Sequence, residues 1–305
     1  MNDAVNPNRR DFLKSTALAT AAVGVSSLLG TKASAGKNAG KIKKAVSLGM
    51  IGEKLPLIDK LKLVKDLGFD GIELNSPCGV DRDELKKALE ETKLGVSEVI
   101  DGLHWKDHLS SPNEDVRARG VAALKASLDD AKFFGTGEVL LVPGVVNANV
   151  TFEDCYKRTQ EEIKKCLDHA KETGVKIGIE NVWNNFINDP ETMVKYIDSF
   201  NSEWVAAHYD VGNHVKFNKP EHWVRTLGKR IIRLHIKEYT GLKDANGKVI
   251  GFGAKLGDGG DIKWEEVTKA LGEIGYAGWA TAEVPGGNRE VLKDIAERMN
   301  RILDI

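Results

Sequence analysis

The sequence predicts a closed parallel (β/α)8 barrel, an α/β fold, and three observations carry that reading. Short apolar runs alternate with longer amphipathic ones from about residue 45 to the C-terminus. Eight such strand–helix units follow one another, more than the five to seven strands usual in an open doubly wound sheet. Several amphipathic stretches stop at a glycine, as at Gly68, Gly135, Gly174 and Gly275, where a residue tolerant of positive φ closes the last helical turn cheaply.

Taken in order, strands are expected at 45–51, 71–75, 96–103, 138–144, 176–182, 205–211, 231–239 and 279–285. Helices are expected between and after them, at 55–67, 81–94, 115–134, 152–173, 190–200, 220–229, 262–274 and 289–303. The helical spacing is visible in Ile163, Leu167 and Ala170, which fall at i, i+4 and i+7 on one face. A Gly/Lys-rich segment at 36–44 reads as a linker, so a single catalytic domain is expected over 45–305.

The N-terminal 35 residues have a different character. Asn8-Arg9-Arg10-Asp11-Phe12-Leu13-Lys14 precedes a weakly apolar run at 15–29 and the small-residue triplet Ala33-Ser34-Ala35. This pattern resembles a twin-arginine export signal, with Asn8 where Ser or Thr is usual, and implies cleavage after Ala35 and a periplasmic or exported protein. The apolar run is too short and too rich in Ala, Gly and Ser to span a bilayer, so no stable membrane insertion is expected. The route carries folded proteins, which suits one that takes up a metal before leaving the cytoplasm.

Composition narrows the function classes. Of 305 residues, 41% are hydrophobic and 29% charged, enough for a large core. Loss of the signal, with its four Lys/Arg and two Asp/Glu, moves the formal charge from −1 to −3. No basic block tracks a phosphate backbone, so no nucleic-acid partner is expected. Cys78, Cys155 and Cys166 lack metal or redox spacing and read as packing residues.

In a (β/α)8 barrel the active site lies at the C-terminal strand ends. There the last four strands finish on Glu180, Asp210, His235 and Glu283. Charged groups in a barrel interior are paired or metal-bound. Three carboxylates and one imidazole suit one divalent ion such as Mn, Mg, Co or Zn, and without thiolates a structural zinc is not expected. For any one of these residues alone, a helix cap or an ion pair is an equal reading. In Ala207-His208-Tyr209-Asp210-Val211-Gly212-Asn213-His214, alternation puts His208 and Asp210 on one face. His208 is expected one layer below the rim, as a partner of Asp210 or a satisfied core histidine, while Asn213 and His214 move to the loop, where one touches substrate.

Further candidates for substrate contact are Glu73 on strand two, the His104-Trp105 pair after strand three, Trp183 after strand five and Lys237 two residues past His235. Lys237 also reads as an ion-pair partner of Glu73 or Asp258. The Gly-rich stretch 256–261 has no P-loop spacing, which together with export favours an unphosphorylated substrate.

The motifs Ile179-Glu180-Asn181, Tyr209-Asp210-Val211-Gly212-Asn213, Leu234-His235-Ile236-Lys237-Glu238 and Ala282-Glu283 resemble those of the xylose isomerase-like TIM barrels. Gly71-Ile72-Glu73-Leu74, His108-Leu109-Ser110-Ser111-Pro112 and Leu256-Gly257-Asp258-Gly259 match too. That family includes sugar isomerases and epimerases, hydroxypyruvate isomerase, inosose dehydratase and metal-dependent endonuclease relatives. The resemblance implies one divalent ion held by Glu180, Asp210, His235 and Glu283, with Glu180 and Glu283 as acid and base on a sugar or keto-sugar through an enediolate. Its free-ketose epimerases carry an Arg six residues after the metal-binding His, where this chain has Gly241, and a His three residues after the Asp, where it has Asn213. The substrate-end contacts therefore differ while the metal core is intact. The alternative chemistry is a lyase or dehydratase acting on a keto-sugar, inosose or 3-keto-glycoside. A nuclease would need more metal ligands, with Glu73, His104 and His108 available for some, and a basic groove. Homo-oligomers occur among the relatives, so one is possible here.

Overall fold

The computed structural model describes residues 36–305 apart from Ala39; the expected export signal and cleavage after Ala35 lie outside the described residues. The order is β1 (Ile42–Ser47), α1 (Leu57–Asp66), β2 (Gly71–Ser76), α2 (Arg82–Thr92), β3 (Gly95–Asp101), α3 (Glu114–Phe134) and β4 (Glu138–Leu141). It continues with α4 (Phe152–Lys164), α5 (Leu167–Thr173), β5 (Lys176–Glu180), α6 (Pro190–Asp198), β6 (Val205–Asp210), α7 (Pro220–Leu227) and β7 (Ile231–Ile236). A hairpin of β8 (Thr240–Lys243) and β9 (Val249–Gly251) precedes α8 (Trp264–Glu273), β10 (Gly278–Ala282) and α9 (Arg289–Leu303).

Strands β1 to β7 and β10 close into a barrel in sequence order, every neighbouring pair parallel. Parallel neighbours require crossovers, and the amphipathic helices supply them, burying residues such as Leu61, Val64, Leu124, Leu128, Trp223 and Leu292 against the outside of the sheet. The expected helix-ending glycines all take positive φ: Gly68 at 79°, Gly135 at 76°, Gly174 at 72° and Gly275 at 70°.

Three expectations change. The linker at 36–44 is partly barrel: β1 starts at Ile42, which pairs with Gly278, and Asn38 is buried with its side-chain amide on the Leu303 carbonyl, 2.9 Å. Lysines disguised the strand, because Lys43 lies over Trp279 at 5.2 Å and buried Lys44 runs its stem inward to reach Asn300 Oδ1, 2.5 Å. The single helix expected at 152–173 is two. Short-range bonds from Lys165 N to Glu162 O (3.2 Å) and Cys166 N to Ile163 O (2.9 Å) tighten the turn and redirect the chain.

The third change is the β8–β9 hairpin, absent from the sequence expectation. Asp244 Oδ1 accepts the Asn246 and Lys248 amides and Gly247 takes φ 78°, so Asn246-Gly247 was a legible hairpin signal. The hairpin rises from the C-terminal end of β7, beside the strand ends where polar residues converge.

Candidate metal centre

Pairing register brings the four expected ligands together. Asp210 and His235 are register partners on β6 and β7, Glu180 ends β5 beside His208, and Glu283 follows β10, next to β7. One donor atom from each of Glu180, Asp210, His235 and Glu283 lies within 4.8 Å of all the others. His235 Nδ1 is 3.3 Å from Glu180 Oε1 and 2.9 Å from Glu283 Oε2. Asp210 Oδ1 accepts the Gly212 and Asn213 amides at 2.9 and 2.6 Å, which fixes the carboxylate. Its Oδ2 is buried and accepts no hydrogen bond.

The residues fit a divalent cation. Three carboxylates converge with one imidazole nitrogen, more negative charge than the single Lys237 ammonium, 3.2 Å from Asp210 Oδ2, offsets by itself. Burial pushes Asp210 up to about 7, although Lys237 opposes the shift. Burial alone would depress His235; Glu73, Glu283 and Glu180 outweigh it and hold the ring well above its ordinary range. The pocket therefore favours positive charge at the Nδ1 side of His235, whether a proton or a metal. Bound there, a divalent ion supplies Lewis acidity toward a substrate oxygen.

Lys237 is expected to touch substrate or to pair with Glu73 or Asp258, and it pairs with neither of those two carboxylates. Instead its Nζ lies 3.2 Å from Asp210 Oδ2 and 2.8 Å from Glu283 Oε2, and donates to Asn213 Oδ1 at 3.1 Å. Gly212 makes this possible, since a Cβ there would overlap the Lys237 stem. Asp258 faces Arg298 at 3.6 Å, outside the centre.

Several expected substrate contacts hold other positions. Glu73 is buried and meets His235 Nε2 at 2.6 Å, so it orients the ligand imidazole. His214 is buried against Trp223, ring centroids 5.0 Å apart, and its Nδ1 accepts from the Asn181 amide at 3.2 Å; packing closes it off from the mouth. The Asn213 amide donates to the Asn181 carbonyl, 2.8 Å, leaving Asn213 as a brace between the β5 and β6 loops. His104 is buried, with Nδ1 accepting the Val142 amide at 3.3 Å, and burial lowers it to about 4. Trp105 is 55% exposed and Trp183 48%, both available at the mouth.

His208 is not a partner of Asp210. Its Nδ1 pairs with Glu138 Oε1 on β4 at 2.9 Å, both side chains fully buried. A Cβ on Gly178 would overlap Glu138, so glycine on β5 opens the path between them. Arg233 Nε lies 3.4 Å from Glu138 Oε2 and donates to the Ser97 carbonyl at 2.8 Å. Glu98 reaches within 3.6 Å of His235 Nε2, and both of its oxygens lack hydrogen-bond partners. Of this lower layer, Glu98, Glu138 and Arg233 escaped the sequence reading, which weighed charges at strand ends, while His208 was expected one layer below the rim. Glu98 inside Val96-Ser97-Glu98-Val99-Ile100 carried the same signal mid-strand.

Glu73, His104 and His108 do not assemble a further metal cluster. Among the described residues the converging metal-donor groups are the four-residue set and Glu98 with His208 and His235. His108 Nδ1 meets Ser110 Oγ, 2.9 Å.

Comparison with known proteins agrees with the fold. The structure superposes on L-ribulose 3-epimerase with TM-score 0.68 and 22% identity, covering 86% of this chain and 94% of that one. It superposes on D-psicose 3-epimerase, solved with D-fructose, with TM-score 0.69 and 18% identity, covering 86% and 100%. It superposes on 3-keto-D-glucoside 4-epimerase from E. coli with TM-score 0.68 and 16% identity, covering 86% and 98%. At these identities the likeness is one of fold. No curated protein matches the sequence. Residues 6–26 match the signal sequence of the twin-arginine translocation pathway. Residues 61–303 match the xylose isomerase-like TIM barrel, and the chain belongs to that family.

Proposed function

We propose that the protein is a divalent-metal-dependent sugar epimerase or isomerase that acts on an unphosphorylated sugar or keto-sugar. The observation that carries this reading is the placement of Glu180 and Glu283. They come from β5 and β10, on either side of β6 and β7, and both reach His235 Nδ1. Two carboxylates flanking one site suit removal of a proton beside a carbonyl on one face and its return on the other face or at the neighbouring carbon. Developing negative charge on oxygen meets the Lys237 ammonium, which Asp210, Glu283 and Glu180 hold above its ordinary range against the effect of burial. The presence of sugar epimerases among the structures of like fold supports the substrate class. The metal is one of Mn, Mg, Co or Zn, taken up before export, with the periplasm as the place of action. Glu180, Asp210, His235 and Glu283 hold it, and Trp105 and Trp183 border the substrate.

A second reading is a lyase or dehydratase on a keto-sugar, inosose or 3-keto-glycoside. It begins with the same proton abstraction and ends with loss of a β-leaving group. Exposed Gly241 on the hairpin places no guanidinium there, which counts against a free ketose under either reading. The test is metal analysis followed by reaction of a keto-sugar panel in deuterium oxide. Deuterium in an isomeric product supports the epimerase; release of water or an aglycone supports the lyase; no exchange with any substrate in the metal-loaded protein overturns both.

A further inference from the structure

An aromatic wall leads from the metal centre to solvent. Lys237 Nζ, 2.8 Å from Glu283, lies 5.2 Å from the Phe252 ring centroid. Phe252 meets Trp183 at 5.1 Å, and Trp183 meets Phe217 at 6.0 Å. The wall is fixed in place: the Trp183 indole N–H donates to the Asn213 carbonyl, Tyr239 packs on Trp183 at 6.0 Å, and Lys216 stands over Trp183 at 5.7 Å and over Phe217 at 5.5 Å. Exposure rises outward, to 48% at Trp183 and 60% at Phe217. Its parts come from three separate loops, after β5, after β6 and after β9, so no single local motif accounts for it.

We propose that Trp183 and Phe217 form a subsite for a ring-bearing aglycone, and that the substrate is a glycoside whose reacting sugar sits between Glu180 and Glu283. This rests on the keto-sugar reading above. Phe252 touches Lys237 at the centre, and Trp183 and Phe217 lie one and two ring contacts farther out. Large aromatic faces held rigid and half exposed beside a site are suited to stack a flat ring or the C–H face of a sugar.

The experiment compares free 3-keto-glucose with its methyl, phenyl and glucosyl glycosides, using metal-loaded mature wild type, Trp183→Ala and Phe217→Ala, each checked for metal content. Solvent-deuterium exchange at the carbon beside the carbonyl is the readout. Stacking on two rings predicts that the phenyl or glucosyl glycoside exceeds the methyl glycoside in kcat/KM by roughly tenfold, mostly through KM. Both variants should shrink that ratio toward one. A phenyl preference identifies an aryl aglycone and a glucosyl preference a second sugar. Equal kcat/KM across the panel, or variants that lower every substrate alike, overturns the subsite and leaves the epimerase standing. Absence of exchange with every substrate overturns both.

Discussion

Glu73 and His235 meet at 2.6 Å, Oε2 to Nε2, on the side of the imidazole turned away from the other ligands. The contact fixes which ring nitrogen faces Glu180, Asp210 and Glu283, and a carboxylate behind a ligand histidine raises its basicity. Glu73→Gln should weaken metal affinity by roughly 10- to 100-fold while the metal still binds at one ion per chain. Titration of the apo-protein with metal, followed by calorimetry, measures this. Unchanged affinity would remove Glu73 from the centre.

His235→Ala and His208→Ala should part company. His235→Ala deletes a ligand and should leave the purified protein without its ion. His208→Ala should keep the ion but lower stability, because Glu138 loses its 2.9 Å partner while remaining buried. Breaking a buried pair costs on the order of 3 kcal/mol, with Arg233 reducing the loss here. Metal content and thermal unfolding of the two variants separate the roles; loss of the ion from both would make His208 part of the centre.

Glu180→Gln and Glu283→Gln should each lower kcat by roughly 100- to 10,000-fold, the range for removing a proton-transfer group. Exchange without isomer formation in one variant would assign abstraction and return to different glutamates. Full activity in both would refute the two-carboxylate mechanism.

Lys237→Met should tighten metal binding and lower the melting temperature of the metal-free protein. Its ammonium sits against Asp210 and Glu283, so it neutralises two of the ligands and competes with the metal for them. Parallel unfolding scans with and without metal test both effects. Weaker metal binding in the variant would mean that Lys237 orients the carboxylates and does not compete.

Acid should destabilise the protein through two neutral imidazoles. Burial lowers His104 and His214 to about 4 from an ordinary 6.5. Each binds fewer protons folded than unfolded between those values. Their contribution is therefore complete above pH 6.5 and is lost as the pH falls through 4, at up to about 1.4 kcal/mol per pH unit per group. Asp210, raised by burial to about 7, has the opposite slope in metal-free protein, so the comparison of wild type with His214→Gln isolates the imidazole. A variant with the same pH dependence as wild type would mean that His214 is protonated without cost.

The sequence by itself determined the barrel and the convergence of four strand-end side chains. Both follow from local rules: alternation along a strand decides which side chains point inward, and each apolar run ends where the loop begins. Glu180, Asp210, His235 and Glu283 were readable for that reason, as were the glycines that close the helices. What lies opposite each inward residue was not readable. His208 points inward as alternation requires, yet its partner Glu138 belongs to β4, 70 residues away, and the contact depends on the missing Cβ of Gly178. Glu73 became a support for His235, and Lys237 a counter-ion for Asp210 and Glu283, through the same closure of the sheet. The β8–β9 hairpin had its turn signal in Asn246-Gly247, but its delivery of Phe252 to Trp183 was settled in three dimensions. Strand periodicity specifies a face; only the stagger of a closed barrel specifies which faces meet.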